Sequence, residues 1–312
     1  MSGPVRLRAL APGKVNLCLC LGEARPDGRH ELVTLFESVS LADELLVTTV
    51  AGDRDQVICP GVRGPNLVSS ALHGLRASGW RAPAIRVEIR KRVPVAAGMG
   101  GGSADAAAML RLAPRLAPVP ASVLAELARR LGADVPSQLQ PGVALGTGAG
   151  EVVQPLSPLA PHAFLILPQP VALSTAEVYR EADRLGLSRA ADQLSVTHLE
   201  LVRALGSEGV GARLGGARLG GAGAELPLWL LVNDLEPAAI SLCPQIGEAR
   251  EAALAAGAEH AIVCGSGPTV AGLYRGADSL GRATVAARAL GGRFPGSAAA
   301  VPAPGDAAAS LE

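Results

Sequence analysis

Aromatic side chains are scarce in this 312-residue sequence, where Phe, Trp and Tyr together make up 2% of the residues. Proteins that bind single-stranded nucleic acid stack bases on aromatic rings and present a basic surface to the backbone. A basic surface is not indicated either, because 28 basic side chains are balanced by 28 acidic ones and the formal net charge is zero. The composition therefore predicts that nucleic acid is not a partner.

Cysteine is similarly sparse, with five residues and no Cys-x-x-Cys pair, so the sequence indicates no zinc site. The odd number of cysteines and the lack of an apolar signal sequence predict reduced thiols and a cytoplasmic location. One uncharged stretch, residues 152–176, is long enough to cross a bilayer, but five prolines interrupt it. We expect a strand with flanking loops there and no membrane partner. The sequence leaves the oligomeric state open.

Glycine is abundant and is concentrated in residues 94–110, Pro-Val-Ala-Ala-Gly-Met-Gly-Gly-Gly-Ser-Ala-Asp-Ala-Ala-Ala-Met-Leu. Residues 84–89 alternate apolar and charged side chains as a half-buried strand does, and residues 104–112 are rich in helix formers. Glycine lacks a Cβ, so its backbone can take positive φ and turn N–H groups toward an anion. The N-terminus of a helix also favours an anion. The order strand, glycine loop, helix, with Ser103 as the expected N-cap, therefore predicts a phosphate-binding loop.

Two well-known phosphate motifs do not match this loop. A Walker A motif requires a lysine before its final Ser or Thr, but Gly98 is followed five positions on by Ser103 with no lysine beside it. A dinucleotide fingerprint requires glycine where Ser103 stands, and the glycine pair at residues 265 and 267 fails similarly because Val270 takes the third position. From the residues alone, a mobile connecting loop and a phosphate loop of another kind both stay open.

Residues 94–108, ending in Gly-Gly-Ser-Ala-Asp-Ala-Ala, resemble the nucleotide loop of the GHMP kinases, which include galactokinase, homoserine kinase and the mevalonate-type kinases. Pro-Gly-Lys-Val-Asn-Leu at residues 12–17, Leu-Gly-Ala-Asp-Val-Pro at 131–136 and the glycine motif at 262–270 resemble further motifs of that family. The resemblance covers roughly residues 5–290, in the family's order.

This resemblance implies an α+β fold of two domains with the active site in the interdomain cleft. Residues 1–158 would form the N-terminal GHMP kinase domain, residues 159–295 a C-terminal α+β domain, and residues 296–312 a tail. Proline and serine concentrate near residues 156–161, as expected of a boundary. Residues 206–225 are low in complexity and are predicted to form a flexible surface insertion.

The implied activity is transfer of phosphate from ATP, with Mg²⁺, to the hydroxyl of a small molecule. Asp-Gly-Arg-His at residues 27–30 resembles the branch that phosphorylates a cytidine-diphosphate methylerythritol, a small-molecule sugar alcohol of the non-mevalonate route to isoprenoids. Arg29 stands where that branch has tyrosine, and a guanidinium can also stack on a base. The alternatives are another GHMP small-molecule kinase, of the mevalonate or homoserine type, and a nucleotide-binding protein without catalysis.

Lys14 and Asp134 are the predicted catalytic residues. Taken alone, a lysine in a Pro-Gly turn is usually solvated, and an aspartate between glycine and proline is usually a cap. The resemblance assigns Lys14 to the acceptor oxygen and the travelling phosphate, and Asp134 to the acceptor hydroxyl. A carboxylate beside a lysine is too weak a base to remove an alcohol proton before the transfer, so Asp134 would act by orientation.

The remaining assignments also follow from the resemblance. ATP is assigned to Asn66, Lys91, Pro94, Val95, Ala96, Ala97, Gly98, Met99, Gly100, Gly101, Gly102, Ser103 and Ala104. The acceptor is assigned to Asn16, His30, Thr175 and Tyr179. No protein ligand of magnesium is assigned.

Overall fold

The computed structural model describes residues 4–62, 64–206 and 223–303, together with the backbone of residues 310–311. Its helices are α1 Leu67–Ala77, α2 Gly101–Leu116, α3 Ala121–Leu131, α4 Val135–Gln138, α5 Thr175–Leu185, α6 Ala191–Ala204, α7 Glu236–Leu242, α8 Gln245–Ala255 and α9 Ser279–Leu290, with a 3-10 turn at Leu228–Leu230. Its strands are β1 Arg6–Ala24, β2 His30–Thr49, β3 Gln56–Ile58, β4 Ile85–Arg90, β5 Val143–Thr147, β6 Val152–Pro155, β7 His162–Leu167, β8 His260–Val263, β9 Val270–Arg275, β10 Ala298–Ala300 and β11 Ser310–Leu311.

The first sheet is built on β1 and β2, which are 19 and 20 residues long and pair antiparallel. Its strand order is β11-β1-β2-β4-β3, and β5 and β6 extend it from β2. The helices α1 and α2 pack on one face of this sheet. Because α2 is rich in alanine, its backbone can approach the sheet closely, and residues 104–110 are all buried.

The second sheet has the antiparallel order β10-β7-β9-β8. Alternate residues of β7 point to opposite faces, as the pleat requires. Ala163, Leu165 and Leu167 pack with α5, α7, α8 and α9. Phe164 and Ile166 point to the other face and pack in the same core cluster as residues of β1 and β2. The two sheets therefore share a core, and a cleft opens beside their contact.

Several local predictions can be compared with these elements. The strand and helix around the glycine loop are β4 and α2, and residues 152–176 form β6, β7 and loops as expected. No helix in the described part of the chain is long and apolar enough to cross a membrane. The expectation of Ser103 as N-cap is wrong, because the helix already begins at Gly101 after Gly100, whose φ is 67°.

The predicted domain bounds are not tested by these elements and stay a prediction. Within the segment expected as a tail, β10 pairs with β7 and β11 pairs with β1. The predicted glycine-rich insertion lies largely outside the described residues, because residues 207–222 are not among them.

A buried ion pair joins the two sheets. His162 of β7 is hydrogen-bonded through Nε2 to Glu37 Oε2 of β2 at 2.7 Å, and through Nδ1 to the Ala160 carbonyl at 2.7 Å. Both partners accept, so both ring nitrogens donate and the imidazole is charged. Burial lowers the pKa of His162, but the hydrogen bond and the charge of Glu37 outweigh it and hold the pKa above its usual value.

We expect His162→Gln to lower the free energy of unfolding by about 3 kcal/mol near pH 6, because it leaves Glu37 buried without a cation. A raised histidine pKa stabilises the fold fully below the unfolded value of about 6.5, and this contribution is lost as pH rises through the folded pKa. The deficit should therefore shrink between pH 6 and 9 in urea unfolding. His73→Gln, on the exposed side of α1, is the control; a pH-independent deficit would mean a neutral imidazole.

Candidate active site

The glycine loop, residues 94–100, closes against the third glycine motif, residues 265–267. Gly98 has a φ of 76°, and a Cβ built on it would lie 1.9 Å from the Cys264 carbonyl oxygen. No side chain fits there, so the two loops touch through their backbones. The chain then passes through Gly100 into α2, whose first N–H groups and dipole favour an anion at this point.

Lys14 lies beneath both glycine loops. The pairing of β1 with β2 shifts register between Pro12 and Lys14, and such an irregularity redirects a side chain. The Lys14 side chain is 5% exposed, and its Nζ donates to Asn16 Oδ1 at 2.5 Å. At Gly265, whose φ is 55°, a Cβ would lie 2.9 Å from this Nζ and 3.0 Å from the Gly98 carbonyl oxygen, so a larger residue would crowd the lysine and strain the backbone.

Asp134 reaches the same point from the other side of the cleft. It precedes the one-turn helix α4, and its Oδ2 lies 3.8 Å from Lys14 Nζ. Its side chain is 34% exposed, whereas that of Lys14 is almost completely buried. An ammonium and an accessible carboxylate therefore meet at the end of the glycine loop, and a hydroxyl placed beside both would be oriented by one and polarised by the other.

The residues expected to hold the acceptor lie around this pair. Thr175, at the start of α5, is hydrogen-bonded to Ser266 through their hydroxyl groups at 3.0 Å. Tyr179, one turn later, has its ring centroid 5.3 Å from that of His30, with a 40° angle between the planes. Burial raises the pKa of Tyr179, as does the charge of Asp134. The tyrosine is therefore neutral and offers an uncharged ring to the cleft.

His30 itself is buried and does not line the cleft. Its Nε2 is hydrogen-bonded to Asp183 Oδ1 of α5 at 2.8 Å, so it supports the Tyr179 ring from behind. Arg29 also points elsewhere, because its guanidinium donates to Asp27 Oδ2 at 2.9 Å and lies 3.9 Å from Glu151. Of His30, Arg29 and Tyr179, it is Tyr179 that lines the cleft.

At the opposite end, Lys91 is held by two carboxylates. Its Nζ donates to Asp43 and, at 2.7 Å, to Asp105 Oδ2 in the second turn of α2. Burial raises the pKa of Asp105 to about 7; the charge of Asp43 acts in the same direction and that of Lys91 against it. Asn66 is the N-cap of α1, where its Oδ1 accepts the Val68 N–H at 2.8 Å. Asn66 also lines the cleft, and no hydrogen bond of its Nδ2 is found within the described part of the chain.

One cleft of about 570 Å³ connects both ends. Of the residues predicted for catalysis, nucleotide and acceptor, it is lined by Lys14, Asn16, Asn66, Lys91, Pro94, Val95, Ala96, Ala97, Gly98, Gly100, Gly101, Gly102, Ser103, Asp134, Thr175 and Tyr179. Three predicted residues do not line it: Met99 and Ala104, which are fully buried in the core, and His30. The structure thus brings most of the predicted set together, while the role of each residue stays a prediction.

Sequence reasoning missed several residues of the cleft wall. Phe36 of β2 places its ring 6.0 Å from Lys14 Nζ, and Thr34 binds the Asn16 amide at 2.9 Å. The rarity of aromatic residues was a signal that could have pointed to Phe36. An acidic residue within an alanine-rich segment was a comparable signal for Asp105, whereas nothing local distinguishes Asp43 or Thr34.

Comparisons with known proteins identify the family. Residues 66–145 match the family model described as GHMP kinases N terminal domain, and residues 222–296 match the one described as GHMP kinases C terminal. The 4-diphosphocytidyl-2-C-methyl-D-erythritol kinase of Streptomyces avermitilis is 38% identical over 303 residues, covering 94% of this chain and 96% of the relative. That of Rhodococcus jostii is 40% identical over 288 residues, covering 89% and 86%.

A solved structure gives the same answer for the fold. The crystal structure of a 4-(cytidine 5'-diphospho)-2C-methyl-D-erythritol kinase matches with a TM-score of 0.69 and 32% identity. The match covers 95% of this chain and all of the other. The α+β fold expected from the motifs is confirmed. By these likenesses the chain belongs to the GHMP kinases, within the group of the 4-diphosphocytidyl-2-C-methyl-D-erythritol kinases.

Proposed function

We propose that this chain transfers the terminal phosphoryl group of ATP to a hydroxyl of 4-diphosphocytidyl-2-C-methyl-D-erythritol, in the non-mevalonate route to isoprenoids. The observation that carries the proposal is the 3.8 Å approach of Lys14 Nζ and Asp134 Oδ2 at the end of a glycine loop. Phosphoryl transfer needs a phosphate cradle, a cation for the travelling group and a residue that orients the acceptor, and the cleft offers each. The acceptor's identity is taken from the names of the relatives.

The nucleotide would lie along the glycine loop. Positive φ at Gly98 and Gly100, and the start of α2 at Gly101, suit a cradle of backbone N–H groups for its phosphates. Asn66 and Lys91 line the far end, where the adenosine would lie. The described residues contain no group of three or more acidic, His or Cys side chains fit to hold a metal. Magnesium would therefore be held mainly by the phosphates, beside the Ser103 hydroxyl, and would offset their charge.

The acceptor would enter from the Tyr179 end, with its cytosine on that ring and its methylerythritol hydroxyl between Lys14 and Asp134. As the hydroxyl oxygen bonds to the terminal phosphorus of ATP, the bond from that phosphorus to the bridging oxygen breaks and ADP leaves. The hydroxyl proton becomes acidic during this step and passes to the Asp134 carboxylate. The Lys14 ammonium, fixed by Asn16, stabilises the charge on the transferred group. The cytoplasmic location expected from the cysteines stays a prediction.

Asp134→Asn should lower kcat by about 10² to 10⁴-fold, because the amide cannot accept the proton, while ATP still binds. Turnover can be followed by coupled ADP release, and nucleotide affinity by calorimetry with a non-hydrolysable analogue. Asp53→Asn, in an exposed loop, is the matched control and should leave kcat unchanged. If Asp134→Asn weakens nucleotide binding as much as turnover, Asp134 is a structural cap and the proposed role is wrong.

The purified chain should favour the cytidine-diphosphate acceptor over cytidine-free methylerythritol, mevalonate and homoserine by about 10³-fold or more in kcat/KM. The cytidine-diphosphate part would pair with polar groups of the cleft that the three smaller acceptors leave unpaired. The four acceptors can be compared at saturating ATP in one coupled assay. Preference for homoserine or mevalonate would reassign the substrate within the family. Failure with every alcohol, despite nucleotide binding, would leave the non-catalytic alternative.

Tyr179→Ala should raise the KM for the cytidine-diphosphate acceptor by about 10-fold to 100-fold, since stacking on a base is worth roughly 1–3 kcal/mol. The KM for ATP should hardly change. Tyr179→Phe keeps the ring and is the control, with a KM expected near that of the wild type. Equal losses in both variants would show that the hydroxyl, and not stacking, matters at this position.

A further inference from the structure

Arg111 is a partly buried cation that has no acidic partner in the described part of the chain. It lies on α2, and its Nη1 donates to the Gln138 carbonyl while its Nη2 donates to the Leu10 carbonyl at 2.6 Å. Its Nε is buried and has no hydrogen-bond partner in the described part of the chain. Burial lowers the pKa of Arg111 to about 10, so the guanidinium remains charged at neutral pH.

Such a side chain is costly to bury. A charge taken out of water is usually compensated by an opposite charge, yet no described carboxylate lies within ion-pair distance of Arg111. What the guanidinium gains instead is two charge-assisted hydrogen bonds to carbonyls of two different elements. An apolar side chain of similar size could fill the same space without this cost, but it could not join those elements.

The two elements that Arg111 joins are those that carry the predicted catalytic pair. Gln138 is the last residue of α4, the one-turn helix that follows Asp134. Leu10 lies in β1, four residues before Lys14. The arginine itself projects from α2, the helix that begins at the end of the glycine loop. The guanidinium of Arg111 thus links α2, α4 and β1.

The helix α4 has few other polar attachments. A single turn is not stable by itself and takes its position from its contacts. Ser137 Oγ donates to the Asp134 carbonyl at 2.9 Å within the turn, and Ser38 Oγ of β2 reaches Gln138 Oε1 at 3.5 Å, the limit of a hydrogen bond. Among the described residues, the bond from Arg111 is therefore the main polar link between the end of α4 and the rest of the fold, and it adds to the apolar packing of Val135 in the core.

We propose that Arg111 is a positioning residue for phosphoryl transfer, which fixes Asp134 relative to Lys14 by bridging the end of α4 and β1. This inference rests on the proposed role of Asp134. Arg111 does not line the cleft, so it acts on substrate only through Asp134. Displacement of a catalytic group by about 1 Å can cost about 10²-fold in rate, so the link matters for turnover more than for nucleotide binding.

The test is a double-mutant cycle with Arg111→Met, which keeps the volume and removes the donors. We expect kcat to fall by about 10-fold to 100-fold and the KM for ATP to change by less than about threefold. In the Asp134→Asn background, Arg111→Met should lower kcat little further, because its partner in catalysis is already lost. Arg115→Met, on the exposed side of the same helix, is the matched control and should leave kcat and KM unchanged.

Losses that multiply in the double variant, or a kcat that does not change, would overturn the inference. If Arg111→Met folds poorly, Arg111→Lys keeps the charge but can hold one carbonyl fewer, and an intermediate kcat is expected. A crystal structure of either variant adds a readout that needs no acceptor. We expect Asp134 to move away from Lys14, whereas an unchanged 3.8 Å approach would contradict positioning even if the acceptor were another alcohol.

Discussion

The site depends on the backbone contact between two glycine loops over a buried ammonium. Gly98 lies so close to the Cys264 carbonyl that no Cβ fits, and a Cβ on Gly265 would lie 2.9 Å from Lys14 Nζ. An ammonium removed from water requires acceptors, and Asn16 Oδ1 supplies one at 2.5 Å. The contact therefore places the Lys14 ammonium beside the N-terminus of α2, where the proposed phosphate cradle would lie.

Buried and partly buried charges also connect elements elsewhere in the described part of the chain. Lys91 joins β4, β2 and α2, His162 joins the two sheets, and Arg111 joins α2, α4 and β1. The core around them is built mainly from alanine and leucine, with few aromatic rings to interlock. Small side chains allow many packings of similar energy, whereas a hydrogen-bonded charge tolerates few arrangements. These links accordingly determine how the elements are placed, and through them the geometry of the cleft.

The two ends of the cleft differ in how they are prepared for a ligand. At the nucleotide end, backbone geometry dominates, and the side chains of Lys91 and Asn66 are already engaged in structural contacts. At the acceptor end, Tyr179 is supported by His30, which is in turn held by Asp183. The Arg29 guanidinium is hydrogen-bonded to Asp27, so the proposed recognition of the base would rely on one ring and not on a pair. The side chains proposed to select the acceptor are thus few: Thr175 and Tyr179 on α5, His30 at the start of β2 and Asn16 on β1.

The sequence by itself determined the local elements, because their causes are local. Alternation in β4, glycine without Cβ and the alanine-rich run of α2 predicted strand, loop and helix, and the motifs around Lys14 and Asp134 indicated the family. Only the tertiary structure decided that α2 begins at Gly101, that Met99 and Ala104 are core residues and that His30 lies behind the cleft. Arg111 and the partners of Lys91 were likewise invisible, since no local pattern shows which distant carbonyl or carboxylate a buried charge will meet. Such contacts arise when β1, α2 and α4 pack together, and that packing depends on long-range burial rather than on neighbours in the chain.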